Sequence, residues 1–175
     1  MREIPVLDNK FYQLILIIFC ALSLSLIIPG ITYADEAGIS PGDTASDFSL
    51  NELGTEREIS LYQIEDQYIL LNFWTTWCPA CQEQMPKLQQ LEDEHGSEVS
   101  VITVNIGQPA PEVGEYIEDG EFSFMVLIDE EEKVANQYSV RGVPTTFILN
   151  EEKVIEARHV GPLNYEQKLE LLNLN

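Results

Sequence analysis

The chain has 175 residues, 45% of them hydrophobic and 22% charged, a length that suits a single globular core. Nine Lys and Arg stand against 30 Asp and Glu, which gives a formal net charge of -21. A field of that sign repels nucleic acid and anionic lipid surfaces, so nucleic-acid binding is excluded. The hydrophobic content excludes a wholly disordered chain, because acidic disordered chains lack the apolar residues that a core needs.

An uncharged, largely apolar segment covers residues 11–33. As a helix, it could cross roughly 30 Å of hydrocarbon at about 1.5 Å per residue. Arg2 and Lys10 precede it and no basic residue follows before Arg57, which predicts that residues 1–10 stay in the cytoplasm and the remainder is exported. The segment ends in a small-residue sequence that a signal peptidase could cleave. We therefore expect a single-pass anchor in the cell membrane, or a secreted domain if the leader is cleaved.

The exported part alternates apolar runs with helix-like stretches, which predicts an α/β domain over residues 47–175 after a linker at 35–46. The apolar runs predict strands at residues 48–50, 68–74, 99–106, 122–128, 145–149 and 154–160, the last two forming a hairpin. The run 68–74 has the composition of a central strand buried on both faces. Helices are predicted up to Gly96, over residues 111–118, and from Asn164 onward, the last burying Tyr165, Leu169 and Leu172.

The chemistry is concentrated in the sequence Trp77-Cys78-Pro79-Ala80-Cys81, directly after the predicted central strand and before a helical pattern. Two cysteines separated by two residues at a helix start can close a small disulfide ring. The first would lie at the positive end of the helix, beside unpaired N–H groups that favour a thiolate. A fall in its pKa from about 8.5 toward 7 would raise the ionised fraction at neutral pH from a few per cent to about half. Pro79 suits the first helical turn, where a proline sacrifices no hydrogen bond.

Two other interpretations of the cysteine pair stay open at this point, half of a zinc site and an inert structural disulfide. A structural zinc needs four ligands, and the exported part adds only His95 and His159 to the two cysteines. A disulfide across two residues closes a loop too short to restrain much of the chain. Neither interpretation is favoured, and we expect no metal site.

Two distant motifs give the chain a resemblance to a known family. They are Leu-Asn-Phe-Trp-Thr-Thr-Trp-Cys-Pro-Ala-Cys at residues 71–81 and Gly-Val-Pro-Thr-Thr-Phe at residues 142–147. With them, residues 41–175 resemble thioredoxin-fold proteins, and among these the membrane-anchored, extracytoplasmic ResA-like and TlpA-like thiol-disulfide oxidoreductases. The resemblance implies a thioredoxin-like α/β fold with a central mixed sheet flanked by helices. It also implies that Pro144 is cis and lies against the disulfide.

The resemblance assigns the site residues as well. It implies that Cys78 is the attacking thiolate and Cys81 the resolving thiol, with no cofactor beyond the disulfide that they form. The residues expected to support them are Trp77 and Val143, which would frame the sulfur, together with Pro79, Ala80, Asn72 and Pro144. Asn72 stands where cytoplasmic thioredoxins have a buried aspartate, and an amide cannot accept the Cys81 proton as a carboxylate could.

The activity implied by the resemblance is an enzymatic one, the reduction of disulfides in exported proteins. Apocytochrome c awaiting haem is one expected substrate, and proteins of spore-envelope assembly are another. The electrons would come from a membrane protein that relays them outward from cytoplasmic thioredoxin.

Two alternative functions remain. A peroxiredoxin-type peroxidase is suggested by Thr75, three residues before Cys78, although Leu71 stands where those enzymes have a proline. A copper-carrying module would use the two thiols as soft ligands and need a third from Met85 or one of the two histidines.

Overall fold

The computed structural model of the protein describes residues 39–172 and residue 174. The described part contains seven strands, β1 Ser49–Glu52, β2 Glu58–Ser60, β3 Tyr68–Trp74, β4 Val99–Ile106, β5 Met125–Asp129, β6 Thr145–Asn150 and β7 Ile155–Val160. Its helices are α1 Pro79–His95, α2 Ala110–Asp119, α3 Lys133–Gln137, α4 Tyr165–Leu171 and a 3-10 helix at Leu61–Gln63. The strands form one mixed sheet in the order β2-β1-β5-β4-β3-β6-β7. The predicted mixed sheet with flanking helices is confirmed.

The expected membrane segment, residues 11–33, lies outside the described residues, as do residues 1–10. Across residues 39–172, no helix combines the length and the apolarity needed to cross a membrane.

Strand β3 lies in the middle of the sheet, parallel to β4 and antiparallel to β6. Its side chains alternate between two buried layers. Phe73 packs in the first layer with Tyr138, their ring centroids 5.6 Å apart. Leu70 and Trp74 pack in the second layer, which also holds Cys81. The central strand is therefore buried on both faces, as its continuous apolar run predicts.

Helix α1 carries the cysteine pair on its first turn. Pro79 occupies the first turn and Gly96 caps the carboxyl end, as predicted. Met85, Leu88 and Leu91 form its fully buried face against the second layer. The amino end of α1 is thereby held at the carboxyl end of β3.

Two segments differ from the sequence prediction. Residues 42–46, expected in the linker, belong to the domain, because Gly42 N donates to Ile155 O at 2.8 Å and Ala45 is fully buried. Strand β5 begins at Met125 and not at residue 122, since Glu121 has a left-handed φ of 54° and Phe122 stacks on Phe124 instead of entering the sheet. Phe122 and Phe124 give this stretch the aromatic composition of a strand, although the stretch pairs with no other strand of the described part.

The last helix, α4, begins at a capping box. Asn164 accepts from Gln167 N at 2.8 Å, and the Gln167 side chain accepts from Asn164 N. Leu172 is fully buried as predicted, whereas Tyr165 and Leu169 are only partly buried. Lys168 is also fully buried, and its ammonium donates to Leu163 O at 2.6 Å.

Candidate active site

The two cysteines of the motif are joined. Cys78 and Cys81 form a disulfide, with their Cα atoms 5.2 Å apart. Cys78 is 5% exposed and Cys81 is 1% exposed, so a substrate that approaches from solvent meets Cys78 first. The placement that the sequence predicts, a disulfide at the start of a helix directly after the central strand, is confirmed.

Cys78 is the N-cap residue of α1. Its Sγ accepts a hydrogen bond from Cys81 N at 3.1 Å, which satisfies one of the free N–H groups of the first turn. The partial positive charge of the helix end stabilises negative charge at the same position. The local structure therefore favours a thiolate on Cys78 once the disulfide is reduced.

The second motif meets the first at this sulfur. The Val143–Pro144 peptide bond is cis, as the resemblance implies, and Pro144 is buried. Val143 O lies 3.7 Å from Cys78 Sγ. Thr145 Oγ1 donates to Gly142 O at 2.7 Å. This bond fixes the turn that brings the Val143 carbonyl to the Cys78 sulfur. Two stretches more than 60 residues apart in sequence thus form one site.

Apolar residues occur beside the cysteines in the chain and at the neighbouring ends of β6 and β7. Trp77, directly before Cys78, is 68% exposed, and Val160 at the end of β7 is 62% exposed. Val143 and Ala80 are partly buried, and Pro79 is exposed. Trp77 therefore does not serve as core packing, and these side chains offer a hydrophobic surface next to the reactive bond.

Asn72 faces the second buried layer, which also holds the disulfide, since it lies on the same face of β3 as Leu70 and Trp74. The residue is 1% exposed. Its Nδ2 donates to Thr146 Oγ1 at 2.9 Å, while its Oδ1 has no hydrogen-bond partner. The position is buried and polar, as the resemblance implies, and it holds an amide with one free acceptor.

Sequence reasoning missed Gln108, which anchors the loop before the cysteines. Its Oε1 accepts from Thr76 N at 2.8 Å and from Asn105 Nδ2 at 3.1 Å. Its Nε2 donates to Thr76 Oγ1 at 2.7 Å and to the Glu112 carboxylate. A polar residue just past the end of β4, next to the strand that leads to the cysteines, was the available signal.

The structure excludes His95 as the third ligand that a copper-carrying module would need beside the two cysteines. His95 is fourteen residues beyond Cys81 on the same helix, which separates them by about 21 Å. Met85 is fully buried one turn beyond Cys81. Among the described residues, no group of three or more His, Cys, Asp and Glu side chains is arranged to hold a metal ion.

Comparison with known proteins agrees with this site. The profile of the AhpC/TSA family matches residues 41–158. The thioredoxin-like protein YneN of Bacillus subtilis is 37% identical over 142 residues, covering 78% of this chain and 82% of YneN. The thiol-disulfide oxidoreductase ResA of Halalkalibacterium halodurans is 32% identical over 143 residues, covering 81% of each chain.

A solved structure shows the same fold. StoA from Bacillus subtilis superimposes with a TM-score of 0.63 at 30% identity, covering 76% of this chain and 98% of StoA. The fold is thioredoxin-like, and the site is a disulfide at a helix amino terminus. The chain belongs to the AhpC/TSA family and is a ResA-like thiol-disulfide oxidoreductase.

Proposed function

We propose that this protein reduces disulfides of exported proteins on the outer side of the cell membrane, with Cys78 as nucleophile and Cys81 as resolving thiol. The observation that carries the proposal is the position of Cys78 Sγ, which caps α1 3.1 Å from Cys81 N and is the more exposed of the two sulfurs. A sulfur in that position is stabilised as a thiolate, and its residue is the one of the pair nearer to solvent.

The reaction transfers two electrons to the substrate. The Cys78 thiolate attacks one sulfur of the substrate disulfide, a mixed disulfide forms, and the other substrate sulfur leaves as a thiolate that takes up a proton. Cys81, after losing its proton, then attacks Cys78 Sγ. The second substrate thiol is released and the Cys78–Cys81 bond closes. The 5.2 Å separation of the two Cα atoms suits this closure without a large backbone movement.

The proposal extends to location and partners. Residues 11–33 would hold the chain in the membrane as a single-pass anchor, or direct secretion of the domain if they are cleaved. Apocytochrome c is the proposed substrate, because the haem-binding cysteines must be reduced before haem attachment. A membrane protein that relays electrons from cytoplasmic thioredoxin would reduce the Cys78–Cys81 disulfide after each turnover. The site needs no cofactor besides this disulfide.

Trapping in cells tests the mechanism and the substrate together. In Cys81→Ala the mixed disulfide on Cys78 cannot be resolved, so we expect covalent complexes on non-reducing gels, with apocytochrome c among the trapped proteins. The matched control is Cys78→Ala, which should trap nothing. The same trapped proteins with both variants, or none with Cys81→Ala, would contradict the assigned roles.

Location and reaction class have separate tests. A membrane-impermeant maleimide should label reduced Cys78 in intact cells, and labelling only after lysis would place the domain inside. Insulin reduction with dithiothreitol as donor should be catalysed. Hydrogen peroxide consumption without insulin reduction would favour the peroxidase alternative. Tight copper binding without turnover would favour the carrier alternative.

A further inference from the structure

The acidic surface of the domain is interrupted at the disulfide. Three segments, residues 74–82, 139–145 and 159–165, contain no Asp or Glu. Elsewhere in residues 39–172, about one residue in four is acidic. We call these three segments the rim.

The rim segments are neighbours in the fold. The first contains both cysteines, and Val143 O of the second lies 3.7 Å from Cys78 Sγ. The third adjoins the second, because Gly161 N donates to Pro144 O at 2.8 Å and Val160 pairs with Thr145. The three segments are therefore neighbours around the reactive bond, and the carboxylates bonded to them come from other segments, Glu112 to Thr76 and Glu94 to Tyr165.

One exposed cation lies in the rim. In the described part of the chain, the other six basic side chains are paired or withdrawn from solvent. Arg57 pairs with Glu52, Lys133 pairs with Glu131, Arg158 donates to Ser139 O, Lys87 is partly buried, and Lys153 and Lys168 are buried. Within residues 39–172, Arg141 is the one exposed basic residue that forms no ion pair or hydrogen bond.

Arg141 is close enough to meet a bound substrate. It is two residues before Val143, so its Cα lies within about 8 Å of the Val143 Cα. The intervening Gly142 has open space where a side chain would project. A guanidinium in this place can form a forked pair with a carboxylate of a peptide whose cysteine is being attacked at Cys78.

Charge complementarity then defines the substrate. We propose, building on the reductase function above, that Arg141 selects substrate segments with an Asp or Glu within about three residues of the attacked cysteine, a spacing its reach allows. Apolar residues of the same segment would pack on Trp77 and Val160, which are 68% and 62% exposed. The carboxylates outside the rim repel an acidic partner that approaches anywhere else.

Two peptides of identical composition test the selection. Each carries one cysteine activated as a pyridyl disulfide; one has Glu beside the cysteine and Lys at the far end, and the other has these two residues exchanged. The full-length protein, in non-ionic detergent and reduced beforehand, attacks the peptide sulfur through Cys78 and expels thiopyridone. Cys81 then releases the peptide thiol and closes the disulfide. Thiopyridone release is followed by absorbance.

We expect the wild-type protein to react about threefold faster with the peptide that has Glu beside the cysteine, the size expected of a solvent-exposed ion pair. Arg141→Gln should bring the ratio of the two rates to about one, and Arg141→Glu should invert it. Arg57→Gln removes an exposed arginine far from the rim and should keep the wild-type ratio. Since the ratio compares two peptides on one protein sample, a general loss of activity cancels.

The outcomes separate this inference from the function on which it rests. Equal rates with both peptides in the wild-type protein, or a preference that survives in Arg141→Gln, would overturn the role of Arg141 alone. If the reduced protein attacks neither the peptides nor uncharged dithiodipyridine faster than free dithiothreitol does, the reductase function itself fails.

Discussion

Asn72 donates its side-chain amide to Thr146 Oγ1 at 2.9 Å, joining β3 to β6 in the buried layer that holds Cys81. The bond fixes the orientation of the amide, and the Asn72 oxygen is left without a hydrogen-bond partner. An amide in this layer cannot take a proton from Cys81. Proton removal from the resolving thiol must therefore use another group or solvent, and a carboxylate at residue 72 would change that step.

Asn72→Asp is expected to make stability depend on pH. Burial raises the pKa of a carboxyl group, so the folded state of this variant would hold a proton that the unfolded state releases near pH 4. The free energy of unfolding should then fall as pH rises above about 4, by about 3 kcal/mol for an unpaired buried charge. Denaturant unfolding at several pH values measures this. Asn51→Asp, at an exposed position of β1, is the control and should show no such fall.

The anchor of the active-site loop gives a second prediction. Gln108→Leu removes the acceptor of Thr76 N and the donor to Thr76 Oγ1, at 2.8 and 2.7 Å. Leaving the partly buried Thr76 N and the buried Asn105 amide without their acceptor should lower the free energy of unfolding by about 1–3 kcal/mol. Because the loop leads directly into Cys78, we also expect a lower kcat/KM for insulin reduction.

Gln89→Leu is the matched control for the loop anchor. Gln89 makes two bonds of similar length to Ser123, at 2.8 and 2.7 Å, at an exposed place in the middle of α1 and away from the disulfide. It should lose stability without losing activity when the rate is measured on fully folded protein. Equal loss of activity in both variants would show that Gln108 acts through general stability and does not position the loop.

The parts of the site that could be predicted are those determined by residues close together in the sequence. Cys78 at a helix start, Pro79 in the first turn and Gly96 at the end of the helix each follow from backbone chemistry within a few residues. The cis bond at Pro144 came from family resemblance, since an X-Pro bond alone is cis in only about 5% of cases.

The features that sequence reasoning missed depend on tertiary contacts. Gln108 became a site residue because β4 lies beside β3, an adjacency that neither strand's sequence specifies. Residues 42–46 begin with Gly42 directly after Pro41, a pair typical of a linker, yet Ala45 N donates to Lys153 O at 2.8 Å. β2, at Glu58–Ser60, is too short and polar for an alternating pattern to be visible.

Alkylation of the reduced protein tests the unequal roles of the two cysteines. Cys78 is the more exposed and occupies the helix cap, so limiting iodoacetamide should modify it at least about tenfold faster than Cys81. Peptide mapping by mass spectrometry measures both sites. Equal modification, or faster modification of Cys81, would contradict the assignment of Cys78 as nucleophile.

The buried Lys168 makes stability depend on pH in the alkaline range. Its ammonium donates to Leu163 O at 2.6 Å and to Asn164 O at 3.4 Å, with no carboxylate bonded to it. Burial, and to a lesser extent Lys87, lowers the pKa of Lys168 from 10.5 to about 8. Between these values the unfolded chain keeps a proton that the folded chain has lost.

A group of this kind stabilises the folded state increasingly as pH rises from about 8 toward 10, since the unfolded state binds more protons there. We expect the free energy of unfolding of the wild-type protein, relative to Lys168→Met, to increase across this window. Lys133→Met is the control, because Glu131 raises the pKa of Lys133 and that side chain stays protonated through the same range. A constant difference between wild type and Lys168→Met would mean that the ammonium keeps its proton through this range and would contradict the lowered pKa of Lys168.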